Sequence, residues 1–294
     1  MVMVKSNGIE IAFQEYGEPA GEPLILVPGL GMSSGLWPQS FVQTLVRGGY
    51  RVIAIDNRDS GRSTHLEDSV RPMEVVAAIG RALVRLPVQA PYGLESLAED
   101  ALGVADALEM RRFHVAGISM GGMIAQVMAG MAPGRISTLT SISSATGNPR
   151  TGFGKVSTIW AILNPRAGGD PMEALDRALK AIGSPAFPRS CEEKRRILQI
   201  LSENGRDTMA VHRQLLALLK SGDRRSSVAL IQAPALIIHG TRDPLLPPAA
   251  GCECARLIAG ARLELIKDMG HDFPESLGEK IGRIMLSHMA RFQA

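Results

Sequence analysis

Long hydrophobic runs are missing from this chain of 294 residues. Its apolar stretches fall well short of the ~20 residues a membrane-spanning helix needs, so no integral membrane association is expected. The start, Met1-Val2-Met3-Val4-Lys5-Ser6, lacks the basic flank and apolar centre of a secretory signal, and the expected location is cytoplasmic. Cysteine is scarce and odd in number, three in all, with Cys252 and Cys254 too close to bridge comfortably. That argues against a disulfide framework. The Cys-x-Cys pair has no second Cys or His pair at ligand spacing, so no metal is expected, and the pair reads as small side chains buried on a helix. Charge of one sign is also lacking. A net +3 is too small to hold nucleic acid, and no basic, aromatic-studded stretch accompanies it. Neither a G-x-G-x-x-G opening nor a phosphate loop occurs, and nothing calls for a nucleotide or other cofactor.

What the chain does have is alternation. Short apolar runs near residues 9–16, 24–27, 51–55, 113–118, 136–142, 235–239 and 262–266 read as strands. Helical patterns lie between them near 37–47, 94–110, 120–132, 249–258 and 276–291. This is the pattern of an α/β protein, a mostly parallel sheet flanked by helices. The Gly/Pro-rich segment 17–23 suits an antiparallel hairpin between the first two of these strands. The alternation stops after residue 146, and residues 147–227 are helix-like, broken by Pro165, Pro171, Pro185 and Pro188. The expected organisation is a core of residues 1–146 and 228–294 with residues 147–227 inserted as a helical cap. The charge is uneven, with 14 Lys/Arg against 8 Asp/Glu in residues 147–225, which reads as a solvated helix face. A shorter insertion spans 65–92; its amphipathic middle, 72–86, is expected to wall the site rather than lie on a membrane.

The most informative stretch is Phe113-His114-Val115-Ala116-Gly117-Ile118-Ser119-Met120-Gly121-Gly122. It writes G-x-S-x-G between a strand and a helix, where small residues allow a sharp turn that leaves the serine hydroxyl open. A hydroxyl is a poor nucleophile until a base takes its proton, and the base needs a partner to fix its tautomer. His271, in Met269-Gly270-His271-Asp272, falls on a loop between the last strand and the last helix. His114 and His239 lie in strands and read as structural; His212 and His288 lie in helical runs and read as solvated; His65 is an outside candidate. Asp243, in Thr241-Arg242-Asp243-Pro244, follows the strand at 235–239 and is the expected orienting acid. Asp268 and Asp272 are too near His271 in sequence to turn a carboxylate onto its ring. The backbone N–H groups of Leu30, after the strand at 24–27, and of Met120 are the expected oxyanion donors.

Assembled in this order, the chain resembles the α/β-hydrolase superfamily. Asp56-Asn57-Arg58-Asp59-Ser60-Gly61-Arg62-Ser63 is similar to the D-x-R-x-x-G-x-S loop of those proteins, Gly240-Thr241-Arg242-Asp243 to their acid loop and Gly270-His271 to their histidine loop. Within the superfamily it resembles the branch containing aclacinomycin methylesterase and bacterial carboxylesterases. It departs from many relatives in having Pro28-Gly29 where they carry His-Gly. The resemblance implies a serine carboxylic-ester hydrolase, needing no metal, that acts on a small-molecule ester through an acyl-enzyme. Activity should then rise with pH through roughly 6 to 7, as a histidine base deprotonates. The same triad also serves carbon–carbon, lactone or peroxyacid chemistry, and a non-catalytic ligand-binding protein of this fold is a further alternative. The stretches 159–163 and 211–219 are candidates to line an acyl pocket, although helical apolar stripes more often serve packing. A homo-oligomer stays open.

Overall fold

The computed structural model describes residues 1–152, 154, 158, 170–204 and 207–292. The chain opens with β1 (Val2–Ser6) and β2 (Ile9–Tyr16), an antiparallel hairpin closed by Asn7-Gly8 with φ of 47° and 80°. Two consecutive positive φ values are what a two-residue loop needs to match the twist of its strands. There follow β3 (Glu22–Val27), α1 (Gln39–Arg47), β4 (Tyr50–Ile55), α2 (Pro72–Leu83), α3 (Leu94–Ala107), β5 (Phe113–Ile118), α4 (Met120–Met131) and β6 (Ile136–Ile142). Before the sheet resumes come α5 (Pro171–Ile182), α6 (Cys191–Glu203), α7 (Thr208–Ser221) and the short α8 (Arg225–Val228). The chain closes with β7 (Ala235–Gly240), α9 (Pro248–Leu257), β8 (Arg262–Ile266) and α10 (Glu275–Met289).

The strands form one eight-stranded sheet in the order β1-β2-β4-β3-β5-β6-β7-β8, parallel from β4 to β8. The hairpin expected between β2 and β3 does not form, because β4 lies between them, antiparallel to β2 and parallel to β3. Segment 17–23 does reverse the chain, but a turn signal specifies reversal and not adjacency. β2 already has its hairpin partner in β1, an edge strand whose apolar start, Val2 and Met3, is exposed.

The central strands are buried on both faces, which is why they read as continuous apolar runs. Along β3, Ile25 and Val27 pack with α3, α4 and α9, while Leu24 and Leu26 pack with α1 and α10. Each such fully buried aliphatic side chain contributes about 1.5–3 kcal/mol. β3 therefore hands the chain to α1 on one face and its neighbour β5 hands it to α4 on the other. Connections that depart to opposite faces from adjacent parallel strands leave a crevice at the carboxyl ends, where ligands settle.

Two side-chain expectations need correction. Cys254 is buried but Cys252 is exposed, since α9 turns only one of them to the core. His288 is buried rather than solvated, on the face of α10 that carries Met285 and Met289, with Nε2 3.4 Å from the Pro234 carbonyl. No helix among the described residues is long and apolar enough to cross a membrane.

Candidate active site

Ser119 sits between β5 and α4 at φ 55°, ψ −120°. A non-glycine residue held there costs on the order of 1–3 kcal/mol, so the surroundings must over-determine it. They do: Ser119 N donates to the Ile142 carbonyl (2.9 Å), and the Ser119 carbonyl accepts from Ser144 Oγ (2.8 Å), Gly122 N (3.0 Å) and Met123 N (3.2 Å). The flanking glycines are needed for space. A Cβ on Gly117 would lie 2.1 Å from the Gly121 carbonyl oxygen, and one on Gly121 would lie 2.1 Å from that of Val27.

The three side chains expected to meet are brought together. His271 Nε2 lies 2.9 Å from Ser119 Oγ, and His271 Nδ1 lies 2.7 Å from Asp243 Oδ2. Both Asp243 and His271 are buried. The other oxygen of Asp243 accepts from Leu245 N (2.9 Å) and Leu246 N (2.8 Å), which fixes the carboxylate plane. Burial opposes ionisation of Asp243, but the histidines His271 and His239 outweigh it and hold the carboxyl well below the usual carboxylate range. His239, read from sequence as structural, donates from Nε2 to the Leu246 carbonyl (2.8 Å) and stands 3.5 Å from Asp243 Oδ2. Asp268 and Asp272, set aside in the sequence, pair elsewhere, with Arg242 and Arg189 respectively.

The two N–H groups expected as oxyanion donors belong to segments beside this row. Among the described residues no acceptor takes the N–H of Leu30 or of Met120. The turn carrying Leu30 is close to the serine: a Cβ on Gly29 would lie 3.4 Å from Ser119 Cβ. Met120 opens α4, whose positive end faces the hydroxyl. The loop after β4 acts as a scaffold for the turn. Asn57 Nδ2 donates to the Pro28 carbonyl (3.0 Å), Ser60 Oγ to that of Met32 (2.5 Å), and Asp56 Oδ1 accepts from Ser34 N (2.6 Å). Arg58 turns away into a bidentate pair with buried Asp100, 2.6 Å at each contact.

Ser119 and His271 open into a cavity of about 1090 Å³, walled chiefly by apolar side chains that include Trp37, Val76, Ile79, Leu179 and Phe273. α2 supplies a wall, as the amphipathic middle of segment 65–92 led one to expect. The stretch 211–219 divides its duties: Leu215, Leu218 and Leu219 line the cavity, while Ala217 belongs to the core. The stretch 159–163 lies outside the described residues.

Residues of α5 to α7 and their connections reach the site in ways the sequence did not disclose. Ser184 Oγ accepts from Gly270 N (2.8 Å) and donates to Asp272 (2.6 Å), and His271 N donates to the Ile182 carbonyl (2.8 Å). Buried Arg213 grips buried Asp59 (2.7 and 2.9 Å), to which Tyr92 also donates (2.6 Å). Asp59, His65 and Asp207 are near enough for one cation. The Arg213 guanidinium already bonds both carboxylates, though, and His65 bonds Asp207 at 3.2 Å. A metal would have to displace the arginine, so this cluster does not fit one.

Sheet order, an elbow after β5, and the chain order Ser119, Asp243, His271 are together the layout of an α/β hydrolase. The chain belongs to the alpha/beta hydrolase fold family, whose model matches residues 22–276. It is similar to the rhodomycin D methylesterase DauP of Streptomyces sp. (strain C5), 29% identical over 97% of both chains. It is also similar to the rhodomycin D methylesterase DnrP of Streptomyces peucetius, 28% identical over the same shares. Among solved structures it resembles a meta-cleavage product hydrolase from Pseudomonas fluorescens IP01, with TM-score 0.78, 18% identity, and 100% of this chain and 98% of that one covered. A thermophilic esterase from Thermogutta terrifontis follows, with TM-score 0.74, 21% identity, and 100% and 99% covered. These two likenesses speak to fold alone.

Proposed function

We propose that this chain hydrolyses carboxylic esters, with Ser119 as nucleophile, His271 as base and then acid, Asp243 as the orienting carboxylate, and the N–H groups of Leu30 and Met120 as the oxyanion hole. The coarser part, a carboxylesterase-type hydrolase, is supported by the family and by the two methylesterases. The finer part is carried by one observation: an unbroken row of hydrogen bonds, Asp243 to His271 at 2.7 Å and His271 to Ser119 at 2.9 Å, beside two N–H groups that have no acceptor among the described residues. In this reading Ser119 Oγ attacks the acyl carbon as His271 Nε2 takes its proton. The oxyanion is held by two donors, and each is worth about 10²- to 10³-fold in turnover. Collapse expels the alcohol, which takes the proton from His271, and water then enters by the same route to free the acid. No cofactor or metal enters these steps.

Residues 147–227 serve here as a cap over a core of residues 1–146 and 228–294. A cavity of about 1090 Å³ is at the upper end of small-molecule sites, which run to roughly 1,000 Å³. With the two relatives named for a methyl ester of rhodomycin D, the substrate that fits best is a bulky, largely apolar acid esterified with a small alcohol.

A fluorophosphonate probe with mass mapping, run beside a panel of methyl and nitrophenyl esters, lactones and a dienoic diketone, tests the reading. The adduct is expected on Ser119, and Ser119→Ala is expected to lose about 10⁴-fold or more of the ester activity. Undiminished turnover by that variant overturns the mechanism, and turnover of only the lactone or diketone overturns the ester assignment.

A further inference from the structure

Gln214 lies in α7, fully buried, between Leu215, which lines the cavity, and Arg213, which holds the ion pair with Asp59. Its two amide ends are both occupied. Oε1 accepts from the N–H of Gly31 at 2.9 Å, and Nε2 donates to the carbonyl of Arg58 at 2.7 Å. These partners belong to the turn after β3 and to the loop after β4, so one side chain from a distant helix joins the oxyanion turn to its scaffold.

The contact matters because of which N–H it takes. Gly29-Leu30-Gly31 carries consecutive backbone donors, and Gly31 sits at φ 65°, where the chain turns away from β3. Met32 N is already spent on the Gly29 carbonyl at 3.1 Å. With Gly31 N–H given to Gln214, the N–H of Leu30 keeps no acceptor among the described residues, in a turn that lies against Ser119. Rotation of the Leu30–Gly31 peptide would break this part-buried hydrogen bond and leave the buried Gln214 amide oxygen without its donor, an unfavourable state. Val211, one turn earlier on α7, presses the same place: a Cβ on Gly31 would lie 3.2 Å from its Cγ2. The helix itself is fastened by Arg213 to Asp59 and to the Asp68 carbonyl.

We infer that Gln214 is a positioning residue for the oxyanion hole: held by α7, it fixes the Gly31 peptide and so aims the N–H of Leu30 at the developing oxyanion. The inference rests on the assignment of Leu30 proposed above. A misaimed donor weakens binding of the transition state more than binding of the ground state, so the signature is in kcat and not in KM.

Gln214→Met keeps the length and apolar bulk and removes both hydrogen bonds; Gln214→Asn keeps the amide and shortens its reach. Each would be compared with the native protein for kcat, for KM and for affinity toward a trifluoromethyl ketone that adds to Ser119 and toward the product acid. The expected result for both is a fall in kcat of about 10- to 100-fold with KM within a few-fold, since the donor is displaced and not deleted. Affinity for the ketone should fall by the same factor, and affinity for the product acid should hold. Should the methionine variant not fold, the asparagine variant decides by the same measurements. A folded variant with native kcat, or one that loses the ketone and the product acid equally, overturns the inference. Ser119→Ala, run in parallel, separates the cases: if it is inactive while the Gln214 variants match the native protein, only the role of Gln214 is lost.

Discussion

Replacing Asp243 by Asn is the most searching test of the row of hydrogen bonds, because the surroundings dictate which way the new amide must point. Oδ1 of Asp243 accepts from two backbone N–H groups, Leu245 at 2.9 Å and Leu246 at 2.8 Å. An NH₂ group placed there would face two donors, so the amide oxygen must take that position. The NH₂ then faces His271 Nδ1, where a carboxylate oxygen stood at 2.7 Å. A donor facing Nδ1 turns that nitrogen into an acceptor and moves the ring proton to Nε2, 2.9 Å from Ser119 Oγ. In that tautomer the ring points an N–H at the hydroxyl and cannot take its proton. The expected loss in kcat is about 10⁴-fold, or ~5.4 kcal/mol of transition-state stabilisation at 1.36 kcal/mol per tenfold. The fold should survive, since size and two of the hydrogen bonds persist. Initial rates on a nitrophenyl ester at neutral pH, beside a thermal melt, measure both. Turnover within tenfold of native by a folded Asp243→Asn protein would refute the reasoning.

Two other expectations concern groups outside the row. Burial works against the charge of Glu253, but hydrogen bonds from Thr146 (2.7 Å), Asn148 (2.7 Å) and Thr151 (2.8 Å) prevail and hold its carboxyl below the usual range. A depressed folded-state value gives stability that is present above the unfolded value of about 4.3 and is lost as pH falls through the folded one. Urea midpoints taken from pH 7 down to pH 3 should therefore fall less steeply for Glu253→Gln than for the native protein, and equal slopes would contradict the assignment. Burial pushes the Cys254 thiol up to about 12, whereas Cys191 and Cys252 are exposed. A disulfide reagent at pH 8 should titrate two thiols in the native protein and a third only in denaturant; rapid reaction of all three in buffer would show that this part of α9 opens readily.

The three side chains that meet at the proposed site were legible because each sits where local chemistry and position along the chain coincide. Ser119 has glycines on both sides to permit its turn, Asp243 and His271 each follow an apolar strand, and their chain order excludes most other partners. The N–H groups of Leu30 and Met120 could be proposed as donors because backbone N–H groups depend on where a strand ends and not on a side chain's identity. What escaped was information held between segments. Nothing near Gln214 or Ser184 marks them as partners of residues more than 80 positions away. On a helix, a polar residue facing a buried turn looks the same in sequence as one facing water. The order of β2, β4 and β3 was hidden for a related reason, since a turn reports the reversal of the chain while the sheet chooses its neighbours by burial. His288 was misjudged because one buried, hydrogen-bonded ring on an apolar face has the same spacing as a solvated one.

The charges around the cavity also bear on the proposed mechanism. Several charged groups around the serine are paired, Arg58 with Asp100, Arg213 with Asp59 and Asp207, Arg189 with Asp272 and Glu193, while buried Arg224 donates to the carbonyls of Gly222 and Ala145 and buried Asp56 accepts from the N–H groups of Ser34 and Arg62. These pairs fix the loops around the site. The carboxylate of Asp243 stands apart, since its close partners are the imidazoles of His271 and His239 and two backbone N–H groups. Its charge is thus available to stabilise the imidazolium that forms when His271 takes the serine proton. In the proposed mechanism the opposite charge, on the substrate oxygen, meets the N–H groups of Leu30 and Met120 and the positive end of α4. Apolar walls keep the local dielectric low, so a few fixed dipoles act there with far more force than they would in water. A site arranged in this way needs no mobile charge of its own, and selection among carbonyl compounds falls to the shape of the cavity.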